Sequence, residues 1–363
     1  MVDVRDTSCR RMTTRTLVTI DRKAVRQNVA SVFARSRKRI FAVVKNNAYN
    51  LGMLEMVETL MASDVHHFAV AELYEAIEIK TNFPDSYVLV MNPTEDFETA
   101  RRFGIALGVS SLEWLALNSK QLQGIELHLK INVGMNRFGV SSLQEAEAVL
   151  ALAQADSLAL TGLYTHFPLA DEPDADHDGQ VERFVAIADV LRKRHTFTYM
   201  HSENSATIVK HDPRLAFCNY VRPGIFLFGY SPIEKMDWLV PSLRMTTEVV
   251  EIREIGPGEH VGYGTNFTST EPMRIAILPV GYGDGVVRGR AALPVHIKEK
   301  PYPVINKLFM SHTFVAVDGT VEVGDEVVLY GDGVEIDDIT RTGAANNSEQ
   351  MCARSWRLTH QYL

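Results

Sequence analysis

The sequence predicts an α/β chain, a closed (β/α)8 barrel followed by a mostly β domain. Two observations predict it. From about residue 40 to 230, eight short apolar runs alternate with amphipathic stretches. Unbroken apolar strands separated by helices belong to a parallel sheet, and eight such units in about 200 residues fit a closed barrel. After Pro232 the long helical periods stop and strand-like segments with Gly-containing turns take over, as in a separate β domain. A doubly wound open sheet is the alternative for the first part.

The apolar runs span 40–45, 67–71, 87–92, 105–109, 126–133, 158–167, 197–202 and 220–222. Helical patterns fill the intervals, among them 54–62, 72–80, 143–153 and 180–194. Beyond Pro232 the strand-like segments are 243–252, 274–279, 294–298, 313–317 and 325–330. Turns at Gly256-Pro257-Gly258, Asp318-Gly319 and Gly331-Asp332-Gly333 punctuate them, and 335–350 is polar and poorly patterned. The expected boundaries are 15–235 for the barrel and 236–363 for the β domain, which residues 1–14 would join.

A chain of 363 residues, 46% hydrophobic and 23% charged, is long enough for about two soluble domains. A net charge of −8 argues against a general nucleic-acid-binding surface. Cys9, Cys218 and Cys352 are odd in number and far apart, which points to a reducing compartment and away from disulfides or a zinc site. No apolar stretch is long enough for a membrane span, and no apolar h-region follows the early arginines. A cytoplasmic protein with no metal and no membrane contact is expected.

The most informative residue is Lys45. It ends the apolar run Ile40-Phe41-Ala42-Val43-Val44 and precedes Asn46-Asn47-Ala48-Tyr49. A core strand normally excludes an unpaired ammonium group, so a lysine aimed out of a strand end is a candidate Schiff-base amine. Other polar residues fall at the same ends of the expected strands: Lys130 and Arg137, His166, Asn204 and Ser205, and Arg222 before Pro223-Gly224-Ile225. Each alone has a plainer reading: surface lysine, core histidine, helix N-cap, turn. Together they converge on one barrel mouth, where active sites of this fold lie.

That set suits a phosphorylated aldehyde. Phosphate needs hydroxyls and backbone N–H groups near a helix N-terminus, which Ser205, Gly224 and Ile225 would supply, with Lys45 across the barrel to condense with the aldehyde. The second domain carries two glycine-flanked tyrosines, Gly262-Tyr263-Gly264 and Gly281-Tyr282-Gly283, the latter followed by Arg288. Each reads alone as a hairpin turn with a core tyrosine. Neither has the spacing of a dinucleotide fingerprint.

The stretches AVVKNNAYNLG, HLKINVGMNRFGV, GLYTHFPLADE, HSENSA, VRPGI, VGYGT and PVGYGDGVVR resemble, in order and approximate spacing, those of the alanine racemase family, fold-type III pyridoxal-phosphate enzymes. The resemblance runs from about Thr16 to the C-terminus. It implies a barrel and a β domain assembled head-to-tail into a homodimer with shared active sites. Lys45 matches the lysine that binds pyridoxal 5'-phosphate and serves the D face of the substrate. Tyr263 matches the tyrosine that serves the L face, reaching the active site of the other subunit. Tyr49, Ser205, Gly224 and Ile225, with Asn204 beside them, match the phosphate site, and Arg222 the arginine on the pyridine nitrogen. His166 matches a histidine near the ring, linked to the tyrosine; it and Arg222 would help a weakly basic phenol through hydrogen bonds and positive charge. Arg137 and Lys130 match an arginine near the cofactor hydroxyl and a lysine often carbamylated beside it. Tyr282 and Met310, with Ser311 next to it, match the substrate side.

Four differences separate the chain from the family pattern. Ser311 replaces an aspartate, Lys307 an entrance arginine, Trp356 a phosphate-binding tyrosine, and Asn50-Leu51 a Gly-His pair. The expected activity is alanine racemisation supplying D-alanine for peptidoglycan. A racemase preferring serine or another amino acid, and a non-catalytic cofactor-binding homologue, are the alternatives.

Overall fold

The computed structural model describes residues 15–172, 176–264, 266–343, 345–355 and 358–363, so Trp356 lies outside the described residues. The first strand is β1 (Leu17–Ile20). Eight parallel strands then close a barrel: β2 (Arg39–Val43), β3 (His67–Val70), β4 (Tyr87–Val90), β5 (Ala106–Val109), β6 (Glu126–Ile131), β7 (Ala159–Thr165), β8 (Tyr199–Asn204) and β9 (Tyr220–Arg222). Each falls within or beside the apolar run expected for it. The helices between them include Met53–Met61, Leu73–Asn82, Leu143–Ala155 and His177–Arg194. Leu143–Ala155 begins in a capping box, Ser142 accepting from the Glu145 amide while Glu145 reaches back to Ser142. Among the described residues no helix is long and apolar enough to cross a membrane.

Residues with the period of two that faces one side of a strand fill the barrel. Phe41, Leu89, Ala106 and Tyr220 are fully buried together, with Tyr87, Met91 and Tyr199 packed on them. His128 on β6 joins this layer because β7 carries a glycine opposite. A Cβ on Gly162 would sit 2.2 Å from the His128 Cγ. The Gly162→Ala variant is therefore expected to lose about 1–3 kcal/mol of stability through overpacking. A lowered thermal midpoint is the check; an unchanged one would mean that His128 has room to move.

The rest of the chain forms two antiparallel-rich sheets. The strands are β10 (Leu243–Glu248), β11 (Glu251–Ile255), β12 (Met273–Leu278), β13 (Val295–Ile297), β14 (Lys300–Tyr302), β15 (Val304–Ile305), β16 (Thr313–Val317), β17 (Glu326–Tyr330) and β18 (Thr359–Tyr362). One sheet has the order β14-β13-β17-β10-β1-β18, the other β11-β12-β16-β15. The expected run 243–252 is two strands in different sheets, because the chain crosses over at Val249-Val250. The unpatterned stretch 335–350 holds two short helices, Ile336–Arg341 and Asn347–Cys352.

One boundary differs from expectation. Residues 15–24 belong with 240–363, and the barrel unit is 25–239, so 15–24 leave the barrel. The reason is local: Val18 and Ile20 are fully buried while Leu17 and Thr19 are not. Such a one-sided strand needs a sheet, which β10 (antiparallel) and β18 (parallel) provide.

Candidate active site

Lys45 stands two residues past the end of β2, after the fully buried Val44. The chain then winds the wrong way. Asn46, Asn47, Ala48 and Tyr49 have φ of 52–55°, and Asn50 has 63°, a left-handed turn that costs most L-residues energy. Local bonds hold it. Ala48 N–H donates to the Val44 carbonyl at 2.9 Å, and the Asn47 side chain accepts from Met53 N–H at 2.7 Å. Glu75, 1% exposed, accepts from the backbone N–H of Asn46, and from Ala71 and Glu72 at 3.0 and 3.1 Å. This carboxylate ties the turn behind Lys45 to the β3 loop.

Arg222 ends β9 and is buried. Its Nη1 donates to His201 Nδ1 at 3.1 Å and to the His201 carbonyl at 2.7 Å. Its Nη2 donates to the carbonyls of Thr165 and Ser202. The four Nη hydrogens thus have protein acceptors, and among the described residues Nε–H is the remaining donor. Burial lowers the guanidinium to about 10, still cationic at neutral pH.

A chain of hydrogen bonds, buried at its histidines and partly buried beyond them, runs from Arg222 down the barrel. An arginine cannot accept, so His201 Nδ1 must. His201 Nε2–H then donates to His128 Nδ1 at 2.8 Å, and His128 Nε2–H to the Tyr87 hydroxyl at 2.9 Å. The phenol donates to Glu126 at 3.0 Å, as does Thr161 at 2.8 Å. One tautomer of each imidazole satisfies every link, with a cation at the mouth end and a carboxylate at the other. Burial, with Arg222 second, holds His128 at about 3 and His201 well below its ordinary range, so both are neutral. The Tyr164 ring stacks on His201 at 4.8 Å.

His166 follows β7 among the charges of Arg222, Lys130, Arg137 and Lys45. Burial first, then these cations, push it down to about 3. Desolvation and these four cations keep the ring neutral, so of the help expected from the pair, His166 can give hydrogen bonds and Arg222 the charge. Lys130 on β6 is lowered to about 8, by burial and then by Arg137 and Arg222. Its ammonium lies 5.5 Å from the Phe138 ring and 5.9 Å from that of Tyr164. Arg137 sits exposed on a loop stapled by Asn132, which accepts from the amides of Gly134 and Asn136.

Opposite these, hydroxyls and amides gather. Gly224 N–H donates to Ser205 Oγ at 3.3 Å. The Tyr49 hydroxyl lies over Gly224, where a Cβ would come within 2.2 Å of it; glycine is needed for this approach. Ile225, buried, opens the next short turn. Asn204 behaves as the helix cap of its plainer reading: Oδ1 accepts from Thr207 N–H at 3.0 Å, and Nδ2 donates to the Phe167 carbonyl.

In the β unit, Tyr263, Tyr282, Met310 and Ser311 line one cavity of about 630 Å³, together with Lys307, Phe309 and Arg288. The core reading of the Gly-Tyr-Gly tyrosine fails, because Tyr263 is 83% exposed. Gly262 and Gly264 at φ +79° and +66° turn the chain so that the ring projects, 5.5 Å from Phe309. Tyr282 N–H donates to the Phe309 carbonyl and Gly283 N–H to that of Met310. The Met310 carbonyl is thus occupied, while its side chain is 62% exposed.

Two family models match the chain: alanine racemase N-terminal domain over residues 20–232, and alanine racemase C-terminal domain over 242–362. The chain belongs to the alanine racemase family. It is similar to an alanine racemase of Staphylococcus epidermidis, 34% identical and covering 90% of this chain and 89% of that one. A Listeria monocytogenes alanine racemase is 32% identical over 96% and 98%. Among solved structures, the E. faecalis alanine racemase superposes with a TM-score of 0.89 at 26% identity, over 96% and 98% of the two chains. That of Acinetobacter baumannii gives 0.85 at 29%, over 96% and 99%. The chain is an amino-acid racemase.

Sequence reasoning on this racemase missed Glu75, His128, His201, Tyr87 and Glu126. A signal for Glu126, His128 and His201 existed. Glu126-x-His128-x-Lys130 puts polar groups at every second position of an otherwise apolar strand, and Tyr199-x-His201 repeats the spacing, the period of one strand face. Glu75 had no such signal, because its role depends on a loop 29 residues away in sequence.

Proposed function

We propose that this racemase interconverts L- and D-alanine with pyridoxal 5'-phosphate at the barrel mouth, using Lys45 and Tyr263 as the two bases. The observation that carries this reading is the focusing of four cations, Lys45, Lys130, Arg137 and Arg222, on a neutral His166 at the C-terminal end of a parallel barrel. Such a field suits an anionic cofactor and a carboxylate substrate. The residues fit the cofactor. Tyr49, Ser205, Gly224 and Ile225 lie together, with the Tyr49 hydroxyl close over Gly224 and the Gly224 amide on Ser205; these hydroxyls and amides would hold the phosphate, and Arg222 Nε–H would face a ring nitrogen. When bound, the cofactor draws electrons from the substrate α-carbon and so acidifies its hydrogen.

Lys45 then holds or releases a proton at Nζ on one face of that carbon, and Tyr263 at its hydroxyl on the other. Two bases on opposite faces are what inversion requires, since a single base would have to swing around the plane. Arg222 stays protonated, so it orients a ring nitrogen without giving it a proton. The exposed Tyr263 and Met310 on a concave face support a homodimer in which this cavity meets a neighbour's barrel. Cytoplasmic supply of D-alanine for peptidoglycan is the role we infer.

Lys130 is proposed to be carbamylated. Carbamylation needs a free amine, and a value of about 8 supplies one near neutral pH; the carbamate would turn a buried cation beside Arg137 into its counter-ion. In ¹³C-bicarbonate, the enzyme is expected to show a carbamate carbon resonance that is missing in Lys130→Met. A resonance that survives the substitution removes the assignment.

The function is tested by the visible spectrum and racemisation of L-alanine on one sample. Visible absorbance with turnover is expected, and absence of both refutes the reading. Ser311 and Lys307 both line the Tyr263 cavity, which favours a second reading, a preference for serine or a larger amino acid. If any other amino acid outran alanine by about tenfold, some 1.4 kcal/mol in the transition state, alanine would no longer be the assigned substrate.

A further inference from the structure

We propose that the N-terminal face of the barrel carries a second small-molecule site, built for a monoanion with an apolar body such as an aromatic carboxylate. A cavity of about 640 Å³ opens there, within the size range of small-molecule sites. Arg39 and Ile40 at the start of β2 and His67 at the start of β3 line it, so it lies at the end of the strands away from Lys45. The helix Arg22–Ser36 supplies the opposite wall through Arg26, Val29, Ala30 and Phe33. Their spacing of three, four and seven places all four on one helical face.

That face is unusual in two ways. Phe33 is 56% exposed although it borders a cavity whose inner wall, Val29 and Ile40, is buried. The basic groups also lack acidic partners. Among the described residues no carboxylate lies within 4.0 Å of Arg26 or Arg39, whereas nearby Lys38 is paired with Glu203 and Arg35 lies 4.0 Å over Trp238. The Arg39 guanidinium donates to the Tyr220 hydroxyl at 3.4 Å and lies 5.9 Å from the centre of its ring. The one carboxylate in the cavity wall, Asp64, faces His66 at 3.4 Å.

Two guanidinium forks beside an apolar wall and an exposed ring match a carboxylate at one end of a hydrophobic body. Asp64 disfavours a multiply charged ligand. A substrate as small as alanine would set its ammonium against Arg26 and Arg39 and leave Phe33 uncovered. The inference does not depend on the chemistry at the barrel mouth.

The test is calorimetric titration of the purified enzyme with 2-naphthoate and its neutral analogue 2-naphthamide, with alanine present in excess. One naphthoate per chain is expected, undisplaced by alanine, and tighter than naphthamide. Arg26→Gln with Arg39→Gln should weaken naphthoate by about tenfold or more and remove its advantage over the amide, with racemisation unchanged. Arg26→Gln alone, on an exposed helix face, gives the same reading if the double variant misfolds. Phe33→Ser should weaken both ligands. No binding at millimolar concentration, displacement by alanine, or equal naphthoate affinity in the arginine variants would each overturn the proposal.

Discussion

Replacing Lys45 by alanine is expected to abolish both the visible absorbance of the cofactor and racemisation in either direction. Replacing Tyr263 by phenylalanine should leave the absorbance and slow both directions. A positioned base contributes about 10²–10⁴-fold, so Tyr263→Phe should fall in that range. Lys45→Ala should exceed it, because it loses the base and the covalent anchor together. Mixing the two inactive variants separates shared from private sites. If each site takes Lys45 from one chain and Tyr263 from another, random exchange yields heterodimers with one intact site, and about a quarter of wild-type activity returns. Circular dichroism controls for folding, and racemisation is followed by chiral chromatography. Normal rates in Tyr263→Phe end the two-base assignment; no recovery on mixing, with exchange shown by mass spectrometry, ends the shared site.

Acid is expected to weaken the barrel well before its carboxylates titrate. His128 and His201 are completely buried, with His128 at about 3 and His201 well below its ordinary 6.5. The folded chain holds them neutral, whereas the unfolded chain protonates them as pH falls through 6.5. Their contribution is therefore complete above 6.5 and is lost on acidification toward the folded values. His128 costs about 1.4 kcal/mol per pH unit in that window, or about 2 kcal/mol at pH 5, and His201 adds in the same sense. Glu203, pushed up by burial, acts in the opposite sense. Denaturant unfolding at pH 7.5 and pH 5 measures the total. His201→Gln keeps an acceptor for Arg222 and a donor for His128 while removing one titrating group, so it should shrink the difference. A pH-independent wild type would show that these imidazoles are not buried neutral.

Much of this molecule was legible from its residues, for physical reasons. Parallel barrel strands are buried on both faces, so all eight stood out as apolar runs, and the end of each run gave the position of Lys45, His166 or Arg222. The strand Leu17–Ile20 was harder, since four residues with alternating burial do not say which sheet will take them. The charge state of His166 was not legible, because sequence gives neither its desolvation nor the four surrounding cations. The Gly-Tyr-Gly turn was ambiguous for a related reason: a tyrosine between two glycines packs inward or projects outward according to neighbours such as Phe309, distant in sequence. The Asn204-Ser205 pair turned out to divide its work, the first capping a short helix and the second facing Gly224.

The left-handed winding behind Lys45 makes this amine hard to transplant. Each L-residue held in that hand forgoes about 1–2 kcal/mol, a load that a lone strand tip grafted onto another barrel would shed by uncoiling. A donor fragment would have to carry the whole 45–52 segment, and the recipient would need an acidic side chain where Glu75 stands. Designers seeking a new lysine-based catalyst should copy the handedness along with the nucleophile.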